Sequence, residues 1–210
     1  MLTNSVTSFI SFISNFAVVL FIVPVLLFYM LKEGHKFKRS VTAMVPKRYR
    51  KEMMRTLTEM DQMLSNYIIG RVIVNLALGV LMLLGFWILN LPYALLLTLV
   101  AVLFNFIPLF GPILSAIPIV IIGLIQSPST GIWALIVILA TQQIQDNLIS
   151  PYVFGKTMDI HPLTTIFLVL AGGKMFGIVG MLVVVPVYML IKILWKKSYR
   201  LFFQQHWETL

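Results

Sequence analysis

"FNFIPLFGPILSAIP", residues 104–118, interrupts one of the most apolar parts of a 210-residue chain with three prolines, a glycine and an asparagine. A helix carried unbroken through it would lose backbone hydrogen bonds at Pro108, Pro112 and Pro118, at roughly 3 kcal/mol each. The stretch must bend, and the apolar arms on either side, 93–107 and 113–126, hold only about fifteen residues each, short for crossing a hydrocarbon core of about 30 Å. The surrounding composition supplies the solvent: 60% of the residues are hydrophobic and 11% charged. A soluble domain of this length could not bury so much apolar surface. The pattern predicts an all-α fold, a polytopic helical membrane protein with broken or re-entrant helices and an amphipathic helix on the cytoplasmic side.

Charge gives the orientation. The formal net charge is +9, but the basic residues flank apolar runs, as the positive-inside rule expects, so the partner they indicate is the lipid bilayer and not nucleic acid. Residues 1–31 carry no charge and read as a lead-in followed by a first transmembrane helix over 9–31, kinked at Pro24. A signal peptide is excluded because the positive n-region is missing. Residues 32–67 form a basic cytoplasmic segment that includes Lys32, Lys36, Lys38, Arg39, Lys47, Arg48, Arg50, Lys51 and Arg55. Within it Met53, Leu57, Met60, Leu64 and Tyr67 recur at helical spacing, which predicts an amphipathic helix over 46–67. Such a helix lies at the inner membrane surface or packs on its own chain.

Residues 68–194 form the transmembrane core, with helix breaks expected at 108–112 and 171–177, and residues 195–210 a cytoplasmic tail. The core starts with a span over 68–89, interrupted by Arg71 and Asn75, and continues through the two short arms to a turn at "QSPSTG", 126–131. A helix over 132–149 ends in the polar "TQQIQDN", a loop follows over 150–162, and the last apolar segment, 163–194, contains the glycine cluster of "AGGKMFG". Lys192, Lys196, Lys197 and Arg200 place the tail on the cytoplasmic side with the basic segment. Two arrangements reconcile this with the number of crossings: a fold-back at "AGGKMFG", with 163–170 as a short re-entrant arm, or a single broken crossing for 93–126. Eight residues reach only about 12 Å and glycines suit a bend, which favours the fold-back.

Non-helical backbone at membrane depth is tolerated where protein or a water-filled cavity covers it. Pro108, Gly111 and Pro112 therefore either shape a polar path, as broken helices do in transporters, or make a tight turn at the surface. Gln142, Gln145 and Asp146 fall on neighbouring helical positions, with Asn147 beside them; such groups face a bundle interior or an aqueous path, or else dress an interfacial helix end. Lys174, after Gly172 and Gly173, needs an acidic partner or water at membrane depth. Asp146 and Asp159 are the carboxylates between Asp61 and Glu208. Alternatively Lys174 snorkels to a headgroup. Asp159 and His161 read as a solvated loop.

Catalysis finds no foothold. There are no cysteines, His35, His161 and His206 are far apart, and no HExxH, GxSxG or GxxxxGK motif occurs. No enzyme activity, metal or cofactor is expected.

Four runs in order, "FYMLKEGHKFKRSVTAMVPKRYRKEM", "FIPLFGPILSAIP", "QQIQDNLISPYVFGKTMDIHPL" and "AGGKMFGIVGMLVVVPV", resemble the autoinducer-2 exporter (AI-2E) family over about residues 7–194. The resemblance implies a multi-pass protein of the bacterial cytoplasmic (inner) membrane, homo-oligomeric, that exports a small molecule such as an autoinducer-2-like signal or exchanges sodium for protons. By position Pro108, Gly111 and Pro112 match the family's helix break, Gln142, Asn147, Pro151, Gly155, His161 and Pro162 its second signature, and Gly172, Gly173, Gly177 and Pro186 its third. Two departures stand out. Members usually carry further transmembrane helices before the equivalent of Thr7, so the chain corresponds to the C-terminal two thirds of the pattern. They also often have a glutamate where this sequence has Gln145, which weakens any proton coupling built on that position and leaves Asp146 beside it. The substrate or ion pathway expected comprises Pro108, Gly111, Pro112, Gln142, Gln145, Asp146, Asn147, Gly172, Gly173 and Lys174. The rival from another class is a membrane protein that transports nothing, its small residues serving close helix packing.

Overall fold

The structure is a computed structural model that describes residues 38–155 and 160–199. The first transmembrane helix expected over 9–31, the basic residues before Lys38, Asp159 and the tail beyond Tyr199 lie outside the described residues. Among the described residues every regular element is helical. A short helix over 38–43 and a 3-10 turn at Lys47–Tyr49 lead into α1 (Arg50–Ile88), α2 (Ala94–Phe104), α3 (Phe110–Gln126), α4 (Pro128–Ile144), a π-helical turn (Gln145–Ile149), α5 (Ser150–Phe154) and α6 (Pro162–Tyr199). Three stretches are long and apolar enough to cross a membrane: Lys47–Ile88, Pro128–Phe154 and Pro162–Lys197. The chain is a multi-pass membrane protein.

The amphipathic segment and the span that follows it form one helix. α1 has 39 residues, about 58 Å at the α-helical rise and nearly twice the hydrocarbon thickness. Its sequence contains no proline between Arg50 and Ile88, so nothing ends it where the charged turns give way to apolar ones. In its apolar part Val74, Leu78, Met82 and Phe86 form a stripe at every fourth residue and are buried, while Ile69, Val72, Ile73, Leu76, Val80 and Leu84 are exposed. A helix apolar on all sides suits a lipid surround, not water.

The described residues fall into two compact units. The first, Ser65–Leu170, packs Leu78, Met82 and Phe86 of α1 against Ala94, Leu97 and Ala101 of α2, Ile119 of α3, and Ala134 and Ile138 of α4. α2, α3 and α4 follow one another as tight helical hairpins. Ser127 both ends α3 and starts α4, its Oγ accepting from the Thr130 backbone N–H at 3.1 Å, with Pro128 in the first helical position. The "QSPSTG" turn thus shrinks to one residue, because Ser followed by Pro is a strong helix start. The loop expected from Ser150 likewise begins with helix α5, which stops at Gly155 (φ 54°). The Phe154 ring stacks on Tyr67 at 6.4 Å.

The proline-rich stretch breaks three residues earlier than its prolines suggest. The break is Asn105–Leu109; Pro112 sits in the first turn of α3 and Pro118 inside it. A first-turn proline removes a backbone donor that the helix does not use. The backbone N–H of Phe110 donates to the Pro108 carbonyl at 2.8 Å around Leu109, held at φ 67°, ψ −44°. This is a γ-turn of the rare, strained kind. Gly111 is obligatory for a different reason, since a Cβ there would lie 2.1 Å from the Phe104 carbonyl oxygen.

In the second unit the charged third of α1 carries ion pairs from two directions. Lys38 of the short helix pairs with Asp61, and Lys197 near the end of α6 pairs with Glu59 at 2.5 Å. α6 itself reverses. Gly177 leaves helical geometry (φ 61°, ψ −142°), and a Cβ on Gly172 would lie 2.7 Å from the Gly180 carbonyl oxygen. Residues eight apart in an unbroken helix would be about 12 Å apart along its axis, so the stretches on either side of Gly177, 171–176 and 178–184, fold against each other as a hairpin. The arm before the bend, 162–176, is longer than the eight residues expected of it, because the two glycines at 172 and 173 lie inside the arm and serve its packing, leaving the bend to Gly177.

Candidate functional site

At the break after α2 three carboxamides meet inside the first unit. Asn75 comes from the middle of α1, Asn105 from the C-terminal cap of α2, and Gln145 from the first position of the π-helical turn. The Asn105 Nδ2 group donates to Asn75 Oδ1 at 2.7 Å and to Gln145 Oε1 at 2.8 Å. All three side chains are at least 95% buried, at 1%, 4% and 3% exposure. Amides suit such a place: they hold directional hydrogen bonds across helices without the far larger desolvation cost of a charge. The cluster is not closed, however. Asn75 Nδ2 is buried without a partner, as are Thr98 Oγ1 on α2 and Gln142 Oε1 on α4.

The π-helical turn aims these groups. Pro151 has no N–H to give the carbonyl four residues back, and the helix meets that defect by widening from Gln145 to Ile149. Such turns recur at functional sites because the extra residue re-aims side chains. Here Gln145 points inward and Asp146 lies exposed beside it. Asp146 accepts only long contacts, 3.4 Å from Gln142 Nε2 and 3.4 Å from Gln145 Nε2. Asn147 turns away, its Nδ2 donating to the Gln143 carbonyl at 3.0 Å and to Gln143 Oε1 at 2.8 Å.

The AI-2E family transporter profile matches residues 1–200 of this chain. The chain belongs to the AI-2E family. Relatives include "Putative transport protein YueF" of Bacillus subtilis, 39% identical over 91% of this chain and 52% of its own length, and "Putative transport protein YrrI" of the same organism, 36% identical over 82% and 49%. "Putative permease PerM" of Escherichia coli K12 is 31% identical over 84% of this chain and 50% of its own length. The chain spans about half the length of these curated relatives. No solved structure matches it. Family members are transporters or permeases and not enzymes.

Within this AI-2E chain the residues singled out from sequence divide between the two units. Pro108, Gly111 and Pro112 surround the strained turn next to the amide cluster; Gln145 is inside that cluster, Gln142 and Asp146 at its edge, and Asn147 on the outer face. Gly172, Gly173 and Lys174 lie in the other unit. The two glycines sit in the α6 hairpin, where a Cβ on Gly173 would lie 2.4 Å from the Met181 side chain, while Lys174 is exposed beside the bend. Asn75 and Asn105 were absent from the sequence-based set. Their signal was present, an amide inside a 22-residue apolar run and another inside the broken stretch, but nothing local joins positions 30 and 40 residues apart.

Proposed function

We propose that the chain is part of an exporter of small molecules, of the autoinducer-2 or related metabolite class, in the bacterial cytoplasmic membrane, and that it moves its cargo by shifting broken helices around the Asn75–Asn105–Gln145 cluster. The observation that carries this reading is the cluster itself: buried, uncharged, incompletely partnered, and set where a helix break meets a π-helical turn. A purely structural bundle has no use for donors and acceptors left open at its centre, each of which costs free energy. Relatives named as transport proteins and a permease support the class of activity. In this reading Pro108, Gly111, Pro112, Gly172 and Gly173 shape the pathway, Gln142 and Gln145 contact the cargo, Asn147 frames the exit, and Lys174 lines the re-entrant hairpin of α6. The working form is a homo-oligomer, as the exposed apolar faces of the core allow.

Ion coupling, by sodium or protons, is assigned to Asp146, the carboxylate adjacent to the cluster. A sodium/proton antiporter is the second reading, and the same residue would carry it. Flux into proteoliposomes under an imposed sodium or pH gradient, with furanosyl signalling molecules in the panel, tests both. Transport above empty vesicles that loses its gradient dependence in Asp146→Asn is expected. Flat flux from correctly inserted protein would return the chain to the non-transporting, structural class.

A further inference from the structure

We propose that Asn105 is a latch: its carboxamide holds the α2–α3 break shut against Asn75 and Gln145, while the Leu109 γ-turn stores backbone strain that is released when the latch opens. This rests on the transport reading for its purpose, but its geometry stands alone. One amide nitrogen gives both its hydrogens to two different elements, α1 and the π-helical turn, so a single side chain fastens the break on two sides. Nothing in the cluster is charged, so opening separates neutral hydrogen bonds and strands no buried ion. The closed state also leaves the Asn75 Nδ2 group, on a side chain 1% exposed, without an acceptor. A rearrangement that supplies one recovers free energy.

The opposing force is in the backbone four residues further on. Leu109 sits at φ 67°, a region that leucine enters at a cost and glycine does not. Between the two lies Ile107, fully buried, with its N–H on the Phe104 carbonyl and its own carbonyl accepting from Gly111 N–H. The tip 105–111 is thus one tightly bonded piece, pulled closed at Asn105 and sprung at Leu109. The two ends predict effects of opposite sign, which a generally destabilised bundle would not give.

The chain has no cysteine, so a single introduced thiol reports the tip directly. Ile107→Cys is made in the full chain in membrane vesicles and its alkylation by N-ethylmaleimide is timed, with Ala134→Cys, fully buried in α4, as the reference for general loosening. Slow alkylation is expected at both. Adding Asn105→Leu should speed the reaction at Ile107→Cys by about tenfold, as the loss of two buried neutral hydrogen bonds implies, and leave Ala134→Cys unchanged. Adding Leu109→Gly should slow it by about fivefold, from relief of the left-handed strain in the closed state. Unchanged rates at position 107, an equal rise at position 134, or acceleration by Leu109→Gly would each overturn the latch. Flux is read separately on the same vesicles: labelling that behaves as described with no flux removes the transport reading and keeps the latch, and flux without the labelling pattern does the reverse.

Discussion

Two of the bends among the described residues, at Asn105–Leu109 and at Gly177, are built from different materials. The first is closed by side chains: a carboxamide bonded to two neighbouring elements, a proline within it and another just after it, and a leucine in a backbone conformation that resists it. The second is closed by backbone against backbone, with glycine at the positive-φ position and at the points of nearest approach, Gly172 and Gly180. A bend made by glycine contacts has no side-chain bond to exchange and no strain to release, so it is a fixed corner. A bend fastened by hydrogen bonds and opposed by strain has both, and in the latch proposed above it exchanges between two states. On that proposal the Asn105–Leu109 break is the bend that moves.

The largest effect that would break this comparison is at the fixed corner. A Cβ on Gly180 would come within 2.0 Å of the Gly172 carbonyl oxygen, and no rotamer change moves a backbone atom. Gly180→Leu should cost about 3 kcal/mol or more, seen as loss of folded protein in detergent melting followed by fluorescence. If Gly180→Leu melts like the parent, the α6 hairpin is not closed by backbone contact and the contrast between the bends fails. Gly177→Ala is smaller. At φ 61°, ψ −142° it places a Cβ in a region that is essentially glycine's alone, at about 1–3 kcal/mol, with nothing within 4 Å for that Cβ to strike. A normal melt would show that the corner adjusts without penalty.

Next comes a change of opposite sign in the helix that leads into the other bend. Thr98, in the helix that ends at Asn105, buries a hydroxyl with no partner. Thr98→Val keeps the shape and removes the unmet donor, so it should raise stability by about 1 kcal/mol, measured by the same melt. The helix leading into the break would then carry a buried polar group at the expense of its stability. Destabilisation instead would mean that the hydroxyl has a partner in the membrane.

How far the sequence foretold this depends on the range of the signal. The spans announce themselves because apolar runs long enough to cross a bilayer have few other uses, and the bend at "PLFGP" was legible from its prolines and glycine. Its position was not. Pro112 and Pro118 are both accommodated within α3, so counting prolines put the break three residues late. Gln145 and Asp146 stood out as polar groups at the end of an apolar helix. Their partners Asn75 and Asn105 did not, since the hydrogen bonds that join them span 30 and 40 positions. The π-helical turn has no local signature beyond Pro151, and a proline has several possible consequences. The merging of the amphipathic segment with the first span of the core was hidden by the change in polarity at Tyr67, which alters what the helix touches but not whether it continues.

The smallest expected effect concerns what holds the far end of the fixed corner. Near the end of the returning arm of α6 the Lys197 ammonium meets Glu59 in the charged third of α1, ahead of the apolar run; Arg55 sits one turn away at 3.3 Å. The Lys197 hydrogen bond first, then the charges of Lys197 and Arg55, hold the Glu59 carboxyl below its ordinary range against the opposing pull of desolvation. A carboxylate depressed in the folded state adds stability above its unfolded pKa, and that contribution disappears as pH falls through the folded value. Both partners are open to solvent, so the contribution is small and screened by salt. Glu59→Gln should therefore melt almost like the parent near neutral pH. The parent's slight advantage should vanish on acidification below the usual carboxylate range and at high ionic strength. A large loss in Glu59→Gln at neutral pH would mean that the ion pair, not the glycine contacts, closes the α6 hairpin, and the two bends would then be alike in depending on side chains.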